Sequence, residues 1–343
     1  PARHASLTNT PISPPPLQLP RRVRPGCPLS PYLFIIAAET PACKIINAKN
    51  INGINIHNST VKIVQMADDT TIFVQDHNSL QNVLSIMDKF QKAAGLKLNK
   101  GKTEAMWLGI KGHRKKGLGI IWQEEKIFSL GIWFCKNEEE DEYLNVGKAY
   151  EKCCKTLDRW SHRKLSLKGK ITVIKTYALP KLLYVFNNVY VPDSYIKKVN
   201  KTFFKYLWED KPDKVRRNTI IQEYELGGLK MINFEYMCKS MKAMWVKRMR
   251  LNLDAKWLLF IKSAIDTELE DFIKCNFCGP RDFSKFYKQV FSSWAEIVGP
   301  TLNSKDPWCL RRQPLYYNRH ILSGGQYYNK QWKTSLYESN IKI

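Results

Sequence analysis

Two adjacent aspartates, Asp68 and Asp69, interrupt a run of strand-forming residues in the segment VQMADDTTIFV, residues 64–74. The flanking residues predict two strands, which places the aspartates at the tip of a tight hairpin. Neighbouring carboxylates repel each other, so the placement of two aspartates side by side requires an explanation. Aspartate is a favoured turn residue, which is the simpler explanation. The alternative is a metal site, because Mg²⁺ prefers oxygen ligands that it can share with substrate phosphates.

The chain is strongly basic along its whole length. Its 343 residues include 55 Lys and Arg against 31 Asp and Glu, a net charge of +24, and 12% of the residues are aromatic. Because the charge is spread over several segments, nucleic acid is the favoured partner, ahead of acidic lipid or no specific partner. The hydrophobic fraction of 44% allows a sizeable core, and a chain of this length usually folds as roughly two domains.

Neither a membrane anchor nor a disulfide framework is indicated. The longest apolar run, YLFIIAA at residues 32–38, is too short to span a bilayer, and no signal peptide is visible. Nine cysteines, an odd number without regular spacing, indicate reduced intracellular thiols. Cys275 and Cys278 form a lone CxxC pair, for which only the distant Cys309 and His320 could complete a zinc site. Zinc binding there is left open.

The first part of the chain differs in composition from the rest. Residues 1–23 contain a proline cluster and no carboxylate, and the first acidic residue is Glu39. This composition predicts disorder. The chain begins at Pro1 and not at Met, which suggests an N-terminally truncated fragment or a broken reading frame.

A first helix is predicted directly after this segment. Ser30 is a suitable cap and Pro31 suits the first helical position. The helix should run to about Glu39, because Pro41 would remove a donor and clash inside it. Residues 52–67 then read as a turn and one strand, followed by the return strand of the hairpin.

A second helix is predicted after the hairpin, with Ser79 as its cap and Gly95 as its stop. Short strands are predicted at residues 96–99 and 128–134, which gives an α+β pattern. Apolar residues of the helix recur at helical spacing and should pack on the sheet. They are Leu80, Val83, Leu84, Met87, Phe90 and Ala94.

Helices dominate beyond about residue 141, with a loop at 225–233 and a basic helix at 239–250. One predicted helix has an apolar stripe that reads as core, formed by Ile196, Val199, Phe203 and Leu207. Its other faces carry lysines that form either a solvated surface or a track for phosphates. These are Lys197, Lys198, Lys201 and Lys205.

Four short segments occur in an order that resembles the successive palm motifs of reverse transcriptases from LINE-type, non-LTR retrotransposons. Each motif is weak alone, but the four together in this order are specific. They are RPGCPLSPYLF (24–34), MADD (66–69), GLKLNKGKTE (95–104) and SLGIWF (129–134). The segments at 163–192 and 203–211 resemble the region after the palm, so the resemblance covers about residue 22 to the end.

The resemblance implies an RNA-directed DNA polymerase that uses Mg²⁺ (or Mn²⁺), an RNA template, a DNA primer or target DNA, and dNTPs. Asp68 and Asp69 match the metal-binding catalytic carboxylates, and Lys102 matches a lysine that aids departure of pyrophosphate. The expected contacts to the template base and the nucleotide are Gly26, Pro28, Leu29, Ser30, Ala67 and Asn99. The expected primer grip is Leu130, Gly131 and Ile132.

The fold implied by the resemblance is α+β. A right-hand polymerase palm fragment, with an antiparallel sheet and packed helices, would occupy residues 24–141. A helical thumb would occupy 142–250, and a basic, aromatic-rich region 251–343. Such a protein would act inside the cell, in the nucleus or in a cytoplasmic ribonucleoprotein, without a membrane. Its oligomeric state is left open.

The chain departs from the family pattern at several places. Pro25 stands where Gln is usual, Met66 stands where Tyr or Phe is usual, and Pro41 interrupts a helix that the family continues. The family's other metal-binding aspartate lies upstream of the GCPLSP segment, where this chain has no acidic residue. The fingers and the endonuclease domain of many relatives have no counterpart either.

Three interpretations follow from these departures. The chain is a polymerase fragment, a catalytically dead nucleic-acid-binding remnant, or a basic structural protein with an accidental Asp-Asp turn. Without the upstream carboxylate we expect the isolated chain to be inactive as a polymerase, whichever of the first two interpretations holds.

Overall fold

The computed structural model divides into two compact units. One comprises residues 1–55 and 60–103, and the other comprises 56–59 and 104–343. The described residues are 26–56, 58–109, 117–265 and 283–302, positions 269 and 273, and four two-residue strands. The predicted disordered segment 1–23 lies outside them except for two strands, and so does the CxxC pair of Cys275 and Cys278.

The first unit contains two long helices and three strand pairs among its described residues. Its elements in chain order are β1 (His4–Ala5), β2 (Leu17–Gln18), α1 (Ser30–Asn47), β3 (Ile54–Ile56), β4 (Ser59–Val61), β5 (Ile63–Met66), β6 (Asp69–Ile72), α2 (His77–Ala94) and a 3₁₀ turn at Lys100–Lys102. The short segment 56–59 at the end of β3 and the start of β4 belongs to the second unit. Where a turn and one strand were predicted over residues 52–67, the chain instead forms the three short strands β3, β4 and β5.

Helix α1 is longer than the sequence predicted. It continues through Pro41 to Asn47, whereas the prediction ended it near Glu39. Proline inside a helix costs about 3 kcal/mol, but Pro41 and Ile45 are buried, and this packing favours the longer helix. The predicted cap is also wrong, since Leu29 occupies the cap position without a side-chain hydrogen bond.

Helix α2 ends as predicted but begins earlier. Gly95 closes it in the left-handed conformation, with φ of 73°, and donates its backbone N–H to the carbonyl of Gln91. The N-cap is Asp76 and not Ser79. The Asp76 carboxylate accepts a hydrogen bond from the backbone N–H of Ser79, which lies inside the helix.

The core of the first unit is small. Helix α2 packs on α1, and only part of its predicted apolar face reaches the core. The buried core residues are Ala42, Ile45, Ile51, Ile63 and Val83, with Ile86 and Met87 packed against them. Leu80, Leu84 and Phe90 are only half-buried.

The second unit begins with strand pairs and continues as helices. Its elements are β7 (Glu104–Met106), β8 (Ile121–Gln123), β9 (Lys126–Ser129), β10 (Ile132–Cys135), α3 (Glu138–Glu142), α4 (Lys148–Ser161), α5 (Leu167–Val173), α6 (Pro180–Asn188), α7 (Asp193–Leu207), α8 (Arg217–Ile221), α9 (Phe234–Leu251), α10 (Leu259–Lys262), α11 (Lys285–Leu302), β11 (Leu322–Ser323) and β12 (Gln326–Tyr327). Single π-helical turns join α3 to α4 and α5 to α6.

The strands agree with an α+β class, but the described strands pair only in twos. Strands β5 and β6 are antiparallel, as are β9 and β10, while β7 and β8 are parallel. Residues 96–99, a predicted strand, have no regular structure. The predicted strand at 128–134 is instead the turn and inner halves of the β9–β10 hairpin, because Leu130 and Gly131 both have positive φ and reverse the chain.

The helices after residue 141 enclose two core clusters, one running from α4 to the start of α9 and the other between the rest of α9, α10 and α11. The predicted stripe on α7 is confirmed, since Ile196, Val199, Phe203 and Leu207 are all buried. Phe234, the first residue of α9, lies edge-on to Phe186 and Phe203, with ring centroids 5.6 and 5.8 Å apart. The loop predicted at 225–233 lies between a 3₁₀ turn at Tyr224–Leu226 and α9.

A buried lysine lies where α9 and α11 pack together. Lys242 is 1% exposed, and its Nζ donates a hydrogen bond to the carbonyl of Val189. The ammonium lies 4.4 Å from the ring centroid of Phe286 on α11. Burial lowers the pKa of Lys242 to about 7 and outweighs the opposing effect of Cys238.

We expect Lys242→Met to flatten the pH dependence of stability. Between pH 7 and about 10.5 the unfolded chain holds a proton on Lys242 that the folded chain has released, so this residue makes stability rise with pH. The slope from one such group is at most about 1.4 kcal/mol per pH unit. Urea unfolding at pH 7.0, 7.75 and 8.5 measures it.

The control for this change is Lys247→Met, on the exposed side of the same helix. It should leave the pH dependence as in the parent chain. A Lys242→Met variant with the parent's full pH dependence would contradict the assignment.

Candidate metal site and nucleic-acid interface

The paired aspartates lie at the tip of the β5–β6 hairpin. Met66 pairs with Asp69, which leaves Ala67 and Asp68 as a two-residue turn. The sequence placed both aspartates in the turn, but Asp69 is the first residue of β6. The register decides this, because a turn that also included Asp69 would shift every later residue to the opposite face of the strand.

Ala67 has a backbone conformation that is unusual for its residue type. Its φ is +54°, and a residue with a Cβ pays about 1–2 kcal/mol for the left-handed region. A glycine would fit this turn without that cost. Strained backbone of this kind is found most often at functional sites. Ala67, Asp68 and Asp69 are all exposed, so the tip presents two carboxylates beside a small side chain.

The start of α2, which follows the hairpin in the chain, is bonded to the loop before β3. The Asp76 carboxylate accepts hydrogen bonds from Ser79 Oγ at 2.8 Å and from Asn52 Nδ2 at 3.0 Å. Burial raises the pKa of Asp76, but these hydrogen bonds and that from the Ser79 backbone outweigh burial and lower it overall. The ionised carboxylate therefore fixes α2 to the loop before β3, while Ile63 and Ile72 of the hairpin contact the core.

The other predicted site segments of the first unit are also exposed. Gly26, with φ of +81°, begins the turn that leads into α1. Pro28 and Leu29 are exposed in that turn, and Ser30 is half-buried as the first residue of the helix. Asn99 accepts a hydrogen bond from the backbone N–H of Lys102 at 3.0 Å, and the Lys102 side chain is exposed.

These segments share a unit but are not bonded to one another. Among the described residues, no hydrogen bond or ion pair joins the turn at residues 26–30, the tip at 67–69 and the turn at 99–102. In the same part of the chain, no three His, Cys, Asp or Glu side chains come together in a way that could hold a metal ion.

The predicted primer grip lies in the second unit, at the tip of the β9–β10 hairpin. Leu130 and Gly131 form its two-residue turn with φ of +48° and +80°. Two successive positive φ values identify a type I′ turn, whose twist suits a hairpin. Ile132 begins β10 and is buried. The hydroxyl of Tyr184, on α6, donates a hydrogen bond to the carbonyl of Leu130.

A basic surface runs along α7. Lys197, Lys198 and Lys201 are exposed, and Lys198 Nζ lies 4.8 Å from the ring centroid of Tyr195. Lys205 is paired with Asp210 at 2.9 Å, and this hydrogen bond raises the pKa of Lys205. The first three lysines therefore carry charge that is available to phosphates, while the charge of Lys205 is largely neutralised.

A second group of cations and aromatic rings lies at the end of α4. Trp160 stacks on Tyr177 at 4.9 Å between centroids, and the Arg163 guanidinium lies 4.4 Å from the Trp160 ring. Cations interleaved with partly exposed rings are typical of nucleic-acid-binding surfaces.

Sequence reasoning missed the residues that fix the start of α2 and the β9–β10 hairpin. Asp76 carried a usable signal, because Asp is a preferred cap immediately before an apolar helical pattern. Tyr184 carried none, since its partner Leu130 is 54 residues away along the chain. Asn145, which hydrogen-bonds to the backbone of Trp133, carried no signal either, since the two residues are 12 positions apart along the chain.

Comparison with known proteins matches the part of the chain that contains these segments. Residues 16–134 match the family model described as reverse transcriptase (RNA-dependent DNA polymerase). The matched segment includes both hairpins and both predicted catalytic aspartates. The chain contains a reverse transcriptase domain of a LINE-type element.

Two curated proteins resemble a longer part of the chain than this reverse transcriptase domain. One is the Transposon TX1 uncharacterized 149 kDa protein of Xenopus laevis, 24% identical over 206 residues, which are 56% of this chain and 15% of that protein. The other is the Retrovirus-related Pol polyprotein from type-2 retrotransposable element R2DM of Drosophila melanogaster. It is 24% identical over 251 residues, 69% of this chain and 22% of that protein.

The chain spans about a fifth or less of the length of these relatives. The two aligned stretches cover 56% and 69% of this chain, which is more than its first 134 residues contain. The similarity therefore extends beyond the family match, into the helices of the second unit. Within the described residues, no helix is both long enough and apolar enough to cross a membrane.

We expect Ala67→Gly to stabilise the hairpin. Glycine adopts positive φ without the cost that alanine bears, and this gain exceeds its larger loss of chain entropy. The free energy of unfolding should rise by about 0.5–1 kcal/mol. Chemical denaturation followed by circular dichroism measures the change.

The matched control is Ala93→Gly, the same substitution at an exposed position of α2. There glycine should lower stability by about 1 kcal/mol. Destabilisation by both changes would show that Ala67 is not strained.

Proposed function

We propose that the chain is the RNA-directed DNA polymerase segment of a LINE-type retrotransposon, which copies RNA onto a DNA primer or target DNA by two-metal nucleotidyl transfer. The observation that carries this proposal is the β5–β6 tip. Within a reverse transcriptase match, two exposed carboxylates lie together at this tip, Asp68 beside Ala67 in the strained two-residue turn and Asp69 at the start of β6.

The tip fits part of a Mg²⁺ or Mn²⁺ site. Asp68 and Asp69 supply hard carboxylate oxygens at an exposed hairpin tip, as these ions require. When bound beside the nucleotide, such an ion would stabilise negative charge on the reacting phosphate. Two carboxylates are fewer than a two-ion site needs, so a further oxygen donor has to join Asp68 and Asp69.

The chain's own residues have defined roles in this proposal. Asp68 and Asp69 would hold the ions, which would supply positive charge beside the dNTP phosphates. Lys102 offers an exposed ammonium that would compensate charge on departing pyrophosphate. The turn of Gly26, Pro28, Leu29 and Ser30 and the side chain of Asn99 would contact the template base and the nucleotide. The tip at Leu130, Gly131 and Ile132 would contact the primer.

The helical part of the second unit would hold the template–primer duplex. Lys197, Lys198 and Lys201 line one face of α7, and no carboxylate among the described residues pairs with them. The stacked Trp160, Tyr177 and Arg163 add a second basic surface. Both surfaces would contact phosphates and sugars, which carry little sequence information.

A second candidate function is nucleic-acid binding without catalysis. It is favoured by the small number of carboxylates at the tip, since within the described part of the chain no third His, Cys, Asp or Glu side chain joins Asp68 and Asp69. In this case the first unit would remain only as a scaffold, and the basic helices would still bind a duplex.

Under either candidate, duplex binding should depend steeply on salt. If the helical part contacts about six phosphates, affinity for an RNA–DNA duplex should fall about a thousandfold between 50 and 200 mM salt. Lys201→Gln should lower the slope of log affinity against log salt by about 1. Fluorescence anisotropy at four salt concentrations measures this.

Lys205→Gln is the matched control, because Asp210 already neutralises much of that charge. It should change the slope less than Lys201→Gln does. Affinity that is indifferent to salt would exclude the polyanion interface.

A metal-dependent nucleotide assay tests the polymerase proposal directly. We expect the 343-residue chain with bound duplex to bind a fluorescent dNTP when Mn²⁺ is present, and we expect Asp68→Asn to weaken that binding at least tenfold. We also expect no primer extension, since positioning and charge stabilisation supply most of the rate and the site has too few carboxylates.

The matched control is Asp88→Asn, an exposed carboxylate of α2 in the same unit. Equal dNTP binding by Asp68→Asn and the parent chain would exclude the metal site and favour binding without catalysis. Primer extension that disappears in Asp68→Ala would show instead that another carboxylate completes the site.

A further inference from the structure

The β9–β10 hairpin is held at its tip by a tyrosine from the helices. Tyr184 donates its hydroxyl to the carbonyl of Leu130, which as a turn residue takes no part in the strand ladder. The Tyr184 ring also covers Gly131. A Cβ added to Gly131 would lie 3.0 Å from Cε1 of that ring, so the close approach requires glycine there, as does the φ of +80°.

Helix α6 is a rigid support for Tyr184. Leu182 and Phe186, two residues to either side, are completely buried on the opposite face of the helix. Phe186 contacts Phe234 at the centre of the helical core. The side chain of Tyr184 therefore extends from a fixed point to the outer surface.

The other end of the hairpin is fixed to the same helices. Asn145, 3% exposed, accepts a hydrogen bond from the Trp133 N–H and donates one to the Trp133 carbonyl, both at 2.9 Å. The carboxylate of Asp141 accepts from the Cys135 N–H at 3.2 Å. An isolated two-stranded hairpin is marginally stable in water, so these contacts supply the order that its own ladder lacks.

The hairpin leaves apolar side chains uncovered on both of its faces. Phe128, Leu130 and Phe134 are all more than a third exposed. Phe128 and Phe134 lie on opposite faces, because Phe128 pairs with Trp133 and Phe134 pairs with Ile127. At the tip the side chain of Leu130 is exposed while its carbonyl accepts the Tyr184 hydrogen bond, so the Tyr184 contact sets how the tip presents Leu130.

We propose that Tyr184 is a positioning residue that fixes the β9–β10 tip, with Asn145 and Asp141 fixing strand β10 behind it, so that the hairpin moves with the helices and holds the primer end in one orientation. This inference rests on the proposed polymerase function, in which Leu130, Gly131 and Ile132 contact the primer. Tyr184 acts through Leu130 and Gly131 and does not touch the reacting groups.

Tyr184→Phe tests this inference, because it removes the hydroxyl and keeps the ring over Gly131. One neutral hydrogen bond is worth about 1 kcal/mol, so amide hydrogen exchange in the peptide 128–134 should become about fivefold faster. A primer carrying 4-thiothymidine at its 3′ end should crosslink to residues 126–135 of the parent chain. In the variant that yield should fall about fivefold while the duplex Kd stays unchanged.

The matched control is Tyr236→Phe on α9, where the tyrosine is exposed and its hydroxyl bonds to no described residue. It should change neither readout. Unchanged exchange in Tyr184→Phe would overturn the tip contact, and faster exchange with an unchanged crosslink would overturn the positioning role. A parent chain that binds no duplex would instead overturn the proposed function, while the exchange result still decides whether Tyr184 fixes the tip.

Discussion

Three phenylalanines at the centre of the second unit hold its helices in place. Phe186 of α6, Phe203 of α7 and Phe234 of α9 are fully buried and meet edge to face. Aromatic side chains bury a large area and pack in preferred orientations, so one such cluster can fix the relative position of several helices. The lysine surface of α7 and the tyrosine that reaches the β9–β10 tip both depend on those positions.

The two hairpins have the same unusual backbone conformation at their tips. Each has a two-residue turn in which a residue other than glycine adopts positive φ, Ala67 in one and Leu130 in the other. A strained residue persists only where its surroundings determine it. For Leu130 those surroundings are visible as the Tyr184 hydroxyl and the neighbouring glycine. For Ala67 the support comes from the ladder of β5 and β6 and from the core residues beneath it.

The lysines of this protein fall into two groups, those that stabilise the fold and those that are exposed. Some lysines serve the fold: Lys170 is buried and donates to the carbonyl of Leu207 and to Glu209, which closes the end of α7, and Lys242 holds the carbonyl of Val189. The lysines along the exposed face of α7 have no such role. A net charge of +24 therefore overstates the charge available to a polyanion, and only the structure separates the two groups.

The sequence by itself determined the features that depend on local pattern. The Asp-Asp hairpin, the stop of α2 at Gly95 and the buried stripe of α7 all follow from turn chemistry or from the spacing of apolar residues, and these act over a few neighbouring positions.

Tertiary structure decided the rest. Helix α1 continues past Pro41 because distant residues bury its second half. The segment predicted as one strand at 128–134 forms a hairpin whose turn is held by Tyr184, 54 residues from Leu130. Contacts between residues so far apart leave no periodic mark in the sequence, because what fixes them is the packing of helices that the chain brings together only when it folds.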